Sequence, residues 1–115
     1  MAAERLAKRA YQGIVGINLG ANKNSTDRIK DYTKVLQCCG PFVDFATINV
    51  SSPNTENLRN FQEKNSLENL VYQVLDCRYN LKNKIPIFLK IAPDLSLKQI
   101  DDIAEIALKM DIDAI

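Results

Sequence analysis

Polar residues stand at the ends of three apolar runs in this sequence, and their types suit the binding of a small polar ligand. Asn18 lies within GINLGANK, Asn49 opens NVSSPNT, and Lys90 lies within LKIAPD. An amide group offers a hydrogen-bond donor and an acceptor, and a lysine ammonium offers three donors and a positive charge. In parallel α/β folds, ligands bind at the carboxyl ends of strands. These residues are therefore the first candidates for a ligand site.

Each of these features also has a purely structural explanation. The Ser, Pro and Asn residues of SSPN are common turn formers. Lys90 would be explained if its strand lay at an exposed sheet edge, where lysine blocks strand pairing. Against this, Asn49 and Lys90 each interrupt an apolar strand, and a lysine within IFLKIA is costly to bury without a partner. Both explanations stay open on the residues alone.

Several common chemistries lack their residues in this chain. It has no histidine, the most frequent general base and metal ligand. The odd number of cysteines and the absence of a CxxC spacing argue against a zinc site or a disulfide framework, and fit a reducing compartment. The glycines form neither the dinucleotide fingerprint nor a P-loop. No metal site is expected.

The composition describes one folded domain. The chain has 115 residues, of which 46% are hydrophobic and 25% charged, as in ordinary globular proteins. Its 15 basic and 14 acidic residues give a net charge of +1 without a basic cluster, which argues against nucleic-acid binding. No apolar run approaches the roughly 18 residues of a membrane span, and the first ten residues lack the apolar centre of a secretion signal.

Apolar runs alternate with stretches of helical periodicity along the whole chain. The pattern predicts strands near 14–19, 43–50 and 85–92, and helices near 26–39, 66–82 and 97–110. Near-continuous apolar strands separated by helices are typical of a parallel sheet with right-handed crossovers. The fold class is therefore α/β, with three βα units, and the final DIDAI is predicted to begin a fourth strand.

Capping residues and apolar stripes give the helices their predicted ends and faces. Ser25 or Thr26 is the predicted N-cap of the first of these helices, and Ser66 precedes the apolar residues of the second. Ser96 and Gln99 form a capping box for the third. Its predicted buried stripe comprises Leu97, Ile100, Ile103, Ala104 and Ala107. Before Gly13, the spacing of Leu6, Ala7 and Ala10 predicts a short helix.

The strings GINLGANK, NVSSPNTENLR and IFLKIAPDLS, in this order and spacing, resemble the middle of dihydroorotate dehydrogenases of the quinone-linked class (class 2). The resemblance covers nearly all of residues 13–115. Short motifs are weak evidence singly and strong evidence when they match jointly on successive strand ends. The resemblance implies a (β/α)8 barrel, of which residues 1–115 would be an internal fragment with about three βα units.

The resemblance also implies an activity and a set of site residues. The family oxidises dihydroorotate to orotate in pyrimidine synthesis, with FMN as hydride acceptor and a quinone as final electron acceptor. Ser52 matches the general base of the family. A serine at this position resembles the quinone-linked class, whereas families linked to soluble acceptors have a cysteine there. Asn49, Asn54 and Thr55 match substrate-binding residues. Asn18, Asn49 and Lys90 match residues beside the flavin, where Lys90 would stabilise the negative charge that develops as hydride arrives.

The resemblance also implies parts of the enzyme that these three strands do not supply. The FMN phosphate site, the quinone site and the N-terminal membrane-associating region are expected outside these residues, and the isolated fragment is expected to be inactive. The full-length protein would lie at the mitochondrial inner membrane in a eukaryote or the bacterial inner membrane otherwise. The inward faces of the strands, represented by Val15, Ile48 and Phe88, would lack an opposite wall.

Two other functions remain as alternatives. A non-catalytic α/β interaction module would use the polar residues as turn formers. A related FMN barrel oxidoreductase would act on another pyrimidine. The first alternative requires that Asn18, Asn49, Ser52 and Lys90 do not converge on one site.

Overall fold

The computed structural model describes residues 2–10, 12–51 and 63–115. In these ranges the elements, in chain order, are helix α1 (Ala2–Ala7), strand β1 (Gly16–Leu19), helix α2 (Arg28–Cys39) with a 3-10 turn (Gly40–Phe42), strand β2 (Phe45–Asn49), helix α3 (Lys64–Tyr79), strand β3 (Ile87–Lys90) and helix α4 (Leu97–Met110). The predicted βα alternation is confirmed. The strands are shorter than predicted by up to two residues at each end, the usual uncertainty of element boundaries.

The three strands form one parallel sheet in the order β1-β2-β3. Gly16 to Leu19 pair with Phe45 to Ile48, and Ala46 to Asn49 pair with Ile87 to Lys90. A bridge from Phe88 to Ala114 adds the beginning of a further parallel neighbour next to β3, as predicted for DIDAI. These are three βα units of a (β/α)8 barrel.

One face of the sheet packs against the helices, and this interface is the core. Alternate strand residues are fully or almost fully buried there, namely Leu19, Ala46, Ile48, Ile87 and Leu89. They meet the apolar stripes of α2 and α3, through residues such as Leu36, Leu70, Val71 and Val74. Because side chains alternate along a strand, the residues between them lie on the opposite face, which no helix of the described residues covers.

Ile48 and Val15 lie on the opposite side of the sheet from the inward face that was predicted for them. Ile48 is fully buried in the core beneath the helices, and Val15 is partly buried and packs against that core. The prediction was wrong for them because a near-continuous apolar run does not reveal which alternate residues face which side. Phe88 does lie on the uncovered face, two residues before Lys90 on β3.

Two predicted helix starts were also wrong. Asp27 caps α2, because its side chain accepts a hydrogen bond from the Lys30 N–H at 3.2 Å. Helix α3 begins at Lys64 after Glu63, before Ser66, and its N-cap makes no side-chain hydrogen bond. The capping box of α4 is confirmed, with Ser96 and Gln99 hydrogen-bonded reciprocally at 3.2 and 2.9 Å.

The apolar stripe of α4 is only partly buried. Ile103 and Ile106 are buried in the core, whereas Leu97 is 82% and Ile100 44% exposed. The predicted stripe therefore follows the sequence periodicity correctly, but only one side of it has a neighbour among the described residues. In this part of the chain, no helix is long and apolar enough to cross a membrane.

Candidate active site

The uncovered face of the sheet carries the predicted site residues in register. Asn18 pairs with Thr47, which pairs in turn with Phe88. Closer to the carboxyl ends of the strands, Asn49 pairs with Lys90. Paired residues on adjacent strands are about 4.8 Å apart. The middle row of this face, Asn18, Thr47 and Phe88, therefore carries an amide and a hydroxyl. The upper row, Asn49 and Lys90, carries an amide and an ammonium.

Aromatic side chains lie on the same face below the upper row. The rings of Phe45 and Phe88 are 5.3 Å apart between centroids and tilted by 37°. Phe45 also lies directly over Gly16, where any Cβ atom would come within 2.2 Å of its ring. Glycine is therefore required at this position for the ring to cover the strand. The polar upper row therefore stands next to an apolar floor formed by Phe45 and Phe88.

Asn49 is held in place at both its backbone and its side chain. Its backbone carbonyl accepts a hydrogen bond of 2.8 Å from the hydroxyl of Tyr32, a fully buried residue of α2. Its side-chain Oδ1 accepts two hydrogen bonds from Ser51, one from the backbone N–H at 3.0 Å and one from Oγ at 2.7 Å. The amide is thus fixed before any ligand binds.

The hydrogen bond from Tyr32 compensates for the end of β1. Ala46 and Val50 donate their backbone N–H groups to the β3 side, so by alternation the carbonyl of Asn49 points toward β1. The ladder with β1 ends at the pair of Leu19 with Ile48, one residue too early to reach it. The phenol takes the place of the missing strand, and burial raises the pKa of Tyr32 far above its ordinary value.

Lys90 is an exposed residue at the last position of β3. Among the residues that the structure describes, its ammonium makes no ion pair. β3 is not a free edge strand, because it pairs with β2 on one side and Leu89 donates to the Ala114 carbonyl at 2.9 Å on the other. Edge protection therefore does not explain this lysine. Its position beside Asn49 places a positive charge at the upper row of the site.

The sequence matches a known protein family over its whole length. The model of the family described as dihydroorotate dehydrogenase matches residues 1–115, which is the whole sequence. The chain belongs to the dihydroorotate dehydrogenase family. Two curated relatives are named dihydroorotate dehydrogenase (quinone): one from Bradyrhizobium diazoefficiens is 49% identical over 98% of this chain, and one from Cereibacter sphaeroides is 51% identical over 90% of it.

Solved structures of a dihydroorotate dehydrogenase from Eimeria tenella have the same fold. The ligand-free enzyme superposes with a TM-score of 0.87 at 28% identity, covering 98% of this chain and 38% of that one. The complex with ferulenol gives 0.82 at 27% identity, with 97% and 35% covered. The chain spans about a third of the length of the curated relatives, 32% for the one from Bradyrhizobium.

The structure brings together three of the residues that resemblance to dihydroorotate dehydrogenases indicated. Asn18, Asn49 and Lys90 lie on one face at the carboxyl half of adjacent strands. Ser52, Asn54 and Thr55 lie outside the described residues. The interaction-module alternative is not supported by the three that are described.

Sequence reasoning missed Tyr32 and gave no role to Ser51, Thr47 or Phe45. The helical periodicity of α2 explains Tyr32 as a core residue and does not reveal which group its buried hydroxyl contacts, although such a hydroxyl needs a hydrogen-bond partner. Thr47 and Phe45 could have been found from the spacing of two residues that places them on the same face as Asn49. In the residues that the structure describes, no group of three or more candidate metal ligands occurs.

Proposed function

We propose that the full-length protein containing this chain oxidises dihydroorotate to orotate, with FMN as hydride acceptor and a quinone as final electron acceptor, in pyrimidine synthesis. The observation that carries the proposal is the register of Asn18, Asn49 and Lys90 on the uncovered face of a parallel sheet. The named relatives support the substrate and the quinone, since they are dihydroorotate dehydrogenases (quinone).

The residues on this face fit a flavin. The site offers amide donors and an ammonium toward one open side, and a flavin ring carries carbonyl oxygens and ring nitrogens that accept hydrogen bonds. The aromatic floor formed by Phe45 and Phe88 suits the apolar part of a planar ring. Asn18 and Lys90 would hold the flavin, Asn49 would contact both flavin and substrate, and FMN, when bound, would accept the hydride.

The other residues would act on the substrate. Asn49, Asn54 and Thr55 would orient the dihydroorotate ring and its carboxylate through hydrogen bonds. Ser52 would take the proton from C5 of the substrate. A serine hydroxyl is a weak base, so it must pass that proton to a water molecule or a neighbouring group. Lys90 would supply positive charge where electron density increases.

The proposal extends to where the protein works. Quinones of electron transport dissolve in membranes, so the full-length protein would lie at the bacterial inner membrane, or at the mitochondrial inner membrane in a eukaryote. The membrane and quinone contacts would come from segments other than residues 1–115.

A substrate comparison in the full-length protein tests this proposal. We expect dihydroorotate to reduce the bound flavin and a quinone to reoxidise it. Dihydrouracil, which has the same ring but no carboxylate, should not reduce the flavin at a comparable rate. Equal reduction by both compounds would favour the related barrel enzyme acting on another pyrimidine. Absence of reduction by dihydroorotate would refute the proposed activity.

A further inference from the structure

We propose that Ser51 is a positioning residue that fixes the side-chain amide of Asn49 as a hydrogen-bond donor, so that the site selects an acceptor oxygen of the substrate at this point. This inference rests on the proposed function, because it names what Ser51 does for the binding of dihydroorotate and orotate.

The first step is that the orientation of the Asn49 amide is decided by chemistry. The Ser51 backbone N–H lies 3.0 Å from Oδ1 and can only donate. The atom facing it must therefore be the oxygen and not the NH2 group. The Ser51 hydroxyl, 2.7 Å away, donates to the same oxygen.

The second step concerns the polar group of the Asn49 side chain that remains free to bind a ligand. A carbonyl oxygen has two lone pairs, and Ser51 occupies both. The free polar group of the side chain is the NH2 group, which has no acceptor among the described residues. Lys90, the register partner of Asn49, is also a pure donor. The upper row of the site therefore presents donors only, which suits the carbonyl and carboxylate oxygens of orotate.

The third step separates Ser51 from the framework of the fold. The backbone of Asn49 is held by Tyr32 and by its place in β2, neither of which involves the serine hydroxyl. Loss of that hydroxyl leaves the strand in place but weakens the restraint on the amide. The amide torsion has a broad profile, so an amide that is held by the Ser51 backbone N–H alone keeps its oxygen toward Ser51 but turns over a wider range, which weakens its hydrogen bond to the ligand.

A double-mutant cycle in the flavin-loaded, full-length enzyme tests the proposal. Orotate binding is measured by titration of the flavin absorbance, and flavin reduction by dihydroorotate is measured in single turnover. We expect Ser51→Ala to raise the Kd of orotate about fivefold, the effect of one lost hydrogen bond, with a smaller change in the limiting reduction rate. In an Asn49→Ala background the same substitution should have no further effect, because Ser51 acts through Asn49.

Two variants serve as controls. Ser51→Thr keeps the hydroxyl and should bind orotate within about twofold of the wild type. Ser66→Ala removes a serine of α3 whose hydroxyl makes no hydrogen bond to the described residues, and should leave the Kd unchanged. If Ser51→Ala does not retain flavin, Ser51→Cys replaces it in the cycle, since a thiol of similar size is a weak donor.

The outcomes distinguish failure of this inference from failure of the proposed function. If the wild type neither binds orotate nor is reduced by dihydroorotate, the proposed activity is wrong and this inference falls with it. If the wild type does both and Ser51→Ala binds orotate normally, only the role of Ser51 is overturned. An equal loss in the Asn49→Ala background, or a lower limiting rate with unchanged Kd, would also overturn it.

Discussion

At the scale of single residues, Asn49 is the centre of the candidate site. Tyr32 donates to its backbone carbonyl and Ser51 donates twice to its Oδ1 atom. Lys90 is its partner in the strand register. The NH2 group that remains has a defined orientation, which reduces the entropy cost of binding a ligand. Asn49 is therefore a preorganised donor and not a flexible polar residue at the end of a strand.

Removal of the proposed base should separate chemistry from cofactor binding. We expect Ser52→Ala in the full-length enzyme to slow flavin reduction by dihydroorotate by about 10²–10⁴-fold, the usual contribution of a general base, while FMN stays bound. Single-turnover absorbance measurements give the rate, and the flavin-to-protein ratio gives the occupancy. A loss of less than roughly threefold would reject the role of Ser52.

Removal of the Lys90 ammonium should instead weaken the binding of FMN. We expect Lys90→Ala to lower FMN retention on gel filtration, because the site loses its cation and a hydrogen-bond donor. Lys82→Ala is the matched control, since Lys82 is an exposed lysine after α3. Full flavin content in Lys90→Ala would show that the ammonium does not hold the cofactor.

At the scale of elements, Asp44 and Asp113 perform the same task, Asp44 at the start of β2 and Asp113 just before the bridge at Ala114. Asp44 accepts from the Val15 N–H at 2.7 Å and from Arg9 at 3.2 Å, and its own N–H donates to the Val15 carbonyl. Asp113 makes the equivalent bonds to Ile87 and Arg78. Each aspartate thus fixes the register of the strand that it precedes.

The pH dependence of stability should report on Asp44. The hydrogen bond from Val15, with Arg9 adding to it, holds the pKa of Asp44 below its usual range. A lowered pKa in the folded state means that the contribution is present above about pH 4, the unfolded pKa, and is lost as the pH falls through the folded pKa. We expect Asp44→Asn to lower the urea midpoint of the full-length protein at pH 7, and the gap to the wild type to narrow by pH 3.

The control for that experiment is Asp101→Asn. Asp101 is exposed on α4, and its carboxylate makes no hydrogen bond to the described residues. It should show little difference from the wild type at either pH. A gap between Asp44→Asn and the wild type that stays constant from pH 7 to pH 3 would contradict the role assigned to the charged carboxylate.

The order and type of the elements could be predicted from sequence, whereas strand faces could not. The α2 and α3 stripes and the Ser96 capping box were readable because helical periodicity and capping are local. Ile48 was assigned to the wrong face because its strand is apolar at nearly every position, so only tertiary packing distinguishes the two sides. The same run nevertheless contains Asn49, and its polarity identified the end of the strand that carries the site.

The candidate site was predictable to a similar degree. Resemblance gave Asn18, Asn49 and Lys90, and the parallel register placed them on one face. The hydrogen bond between Tyr32 and Asn49 joins residues of different elements, which no local pattern reveals. The floor under the polar row was missed for the same reason, since the contact of Phe45 with Gly16 depends on the pairing of two strands.

At the scale of the whole molecule, the three βα units leave surfaces that a closed barrel would cover. The sheet face with the site lies open, and α4 exposes Leu97 and Leu108 at 82% and 84%. Exposed apolar surface of this kind promotes association. The chain corresponds to about a third of its curated relatives, so closure of the barrel and the FMN phosphate site would depend on residues other than these 115.

Residues 1–115 expressed alone should therefore be marginally stable and self-associating. We expect analytical ultracentrifugation to show concentration-dependent oligomers, flavin fluorescence to show no stoichiometric FMN binding, and dye reduction by dihydroorotate to be absent. A monomer that binds FMN stoichiometrically and turns over would show that these three units form a complete site.

The most direct test of the central claim, that this face of the sheet holds flavin and substrate, is a crystal structure of the full-length protein with FMN and orotate. We predict that Asn18 and Lys90 lie within hydrogen-bond distance of the flavin, and that the Asn49 NH2 group donates to an orotate oxygen. The account would be contradicted if the flavin bound elsewhere and the Lys90 ammonium instead paired with a carboxylate from another strand of the barrel.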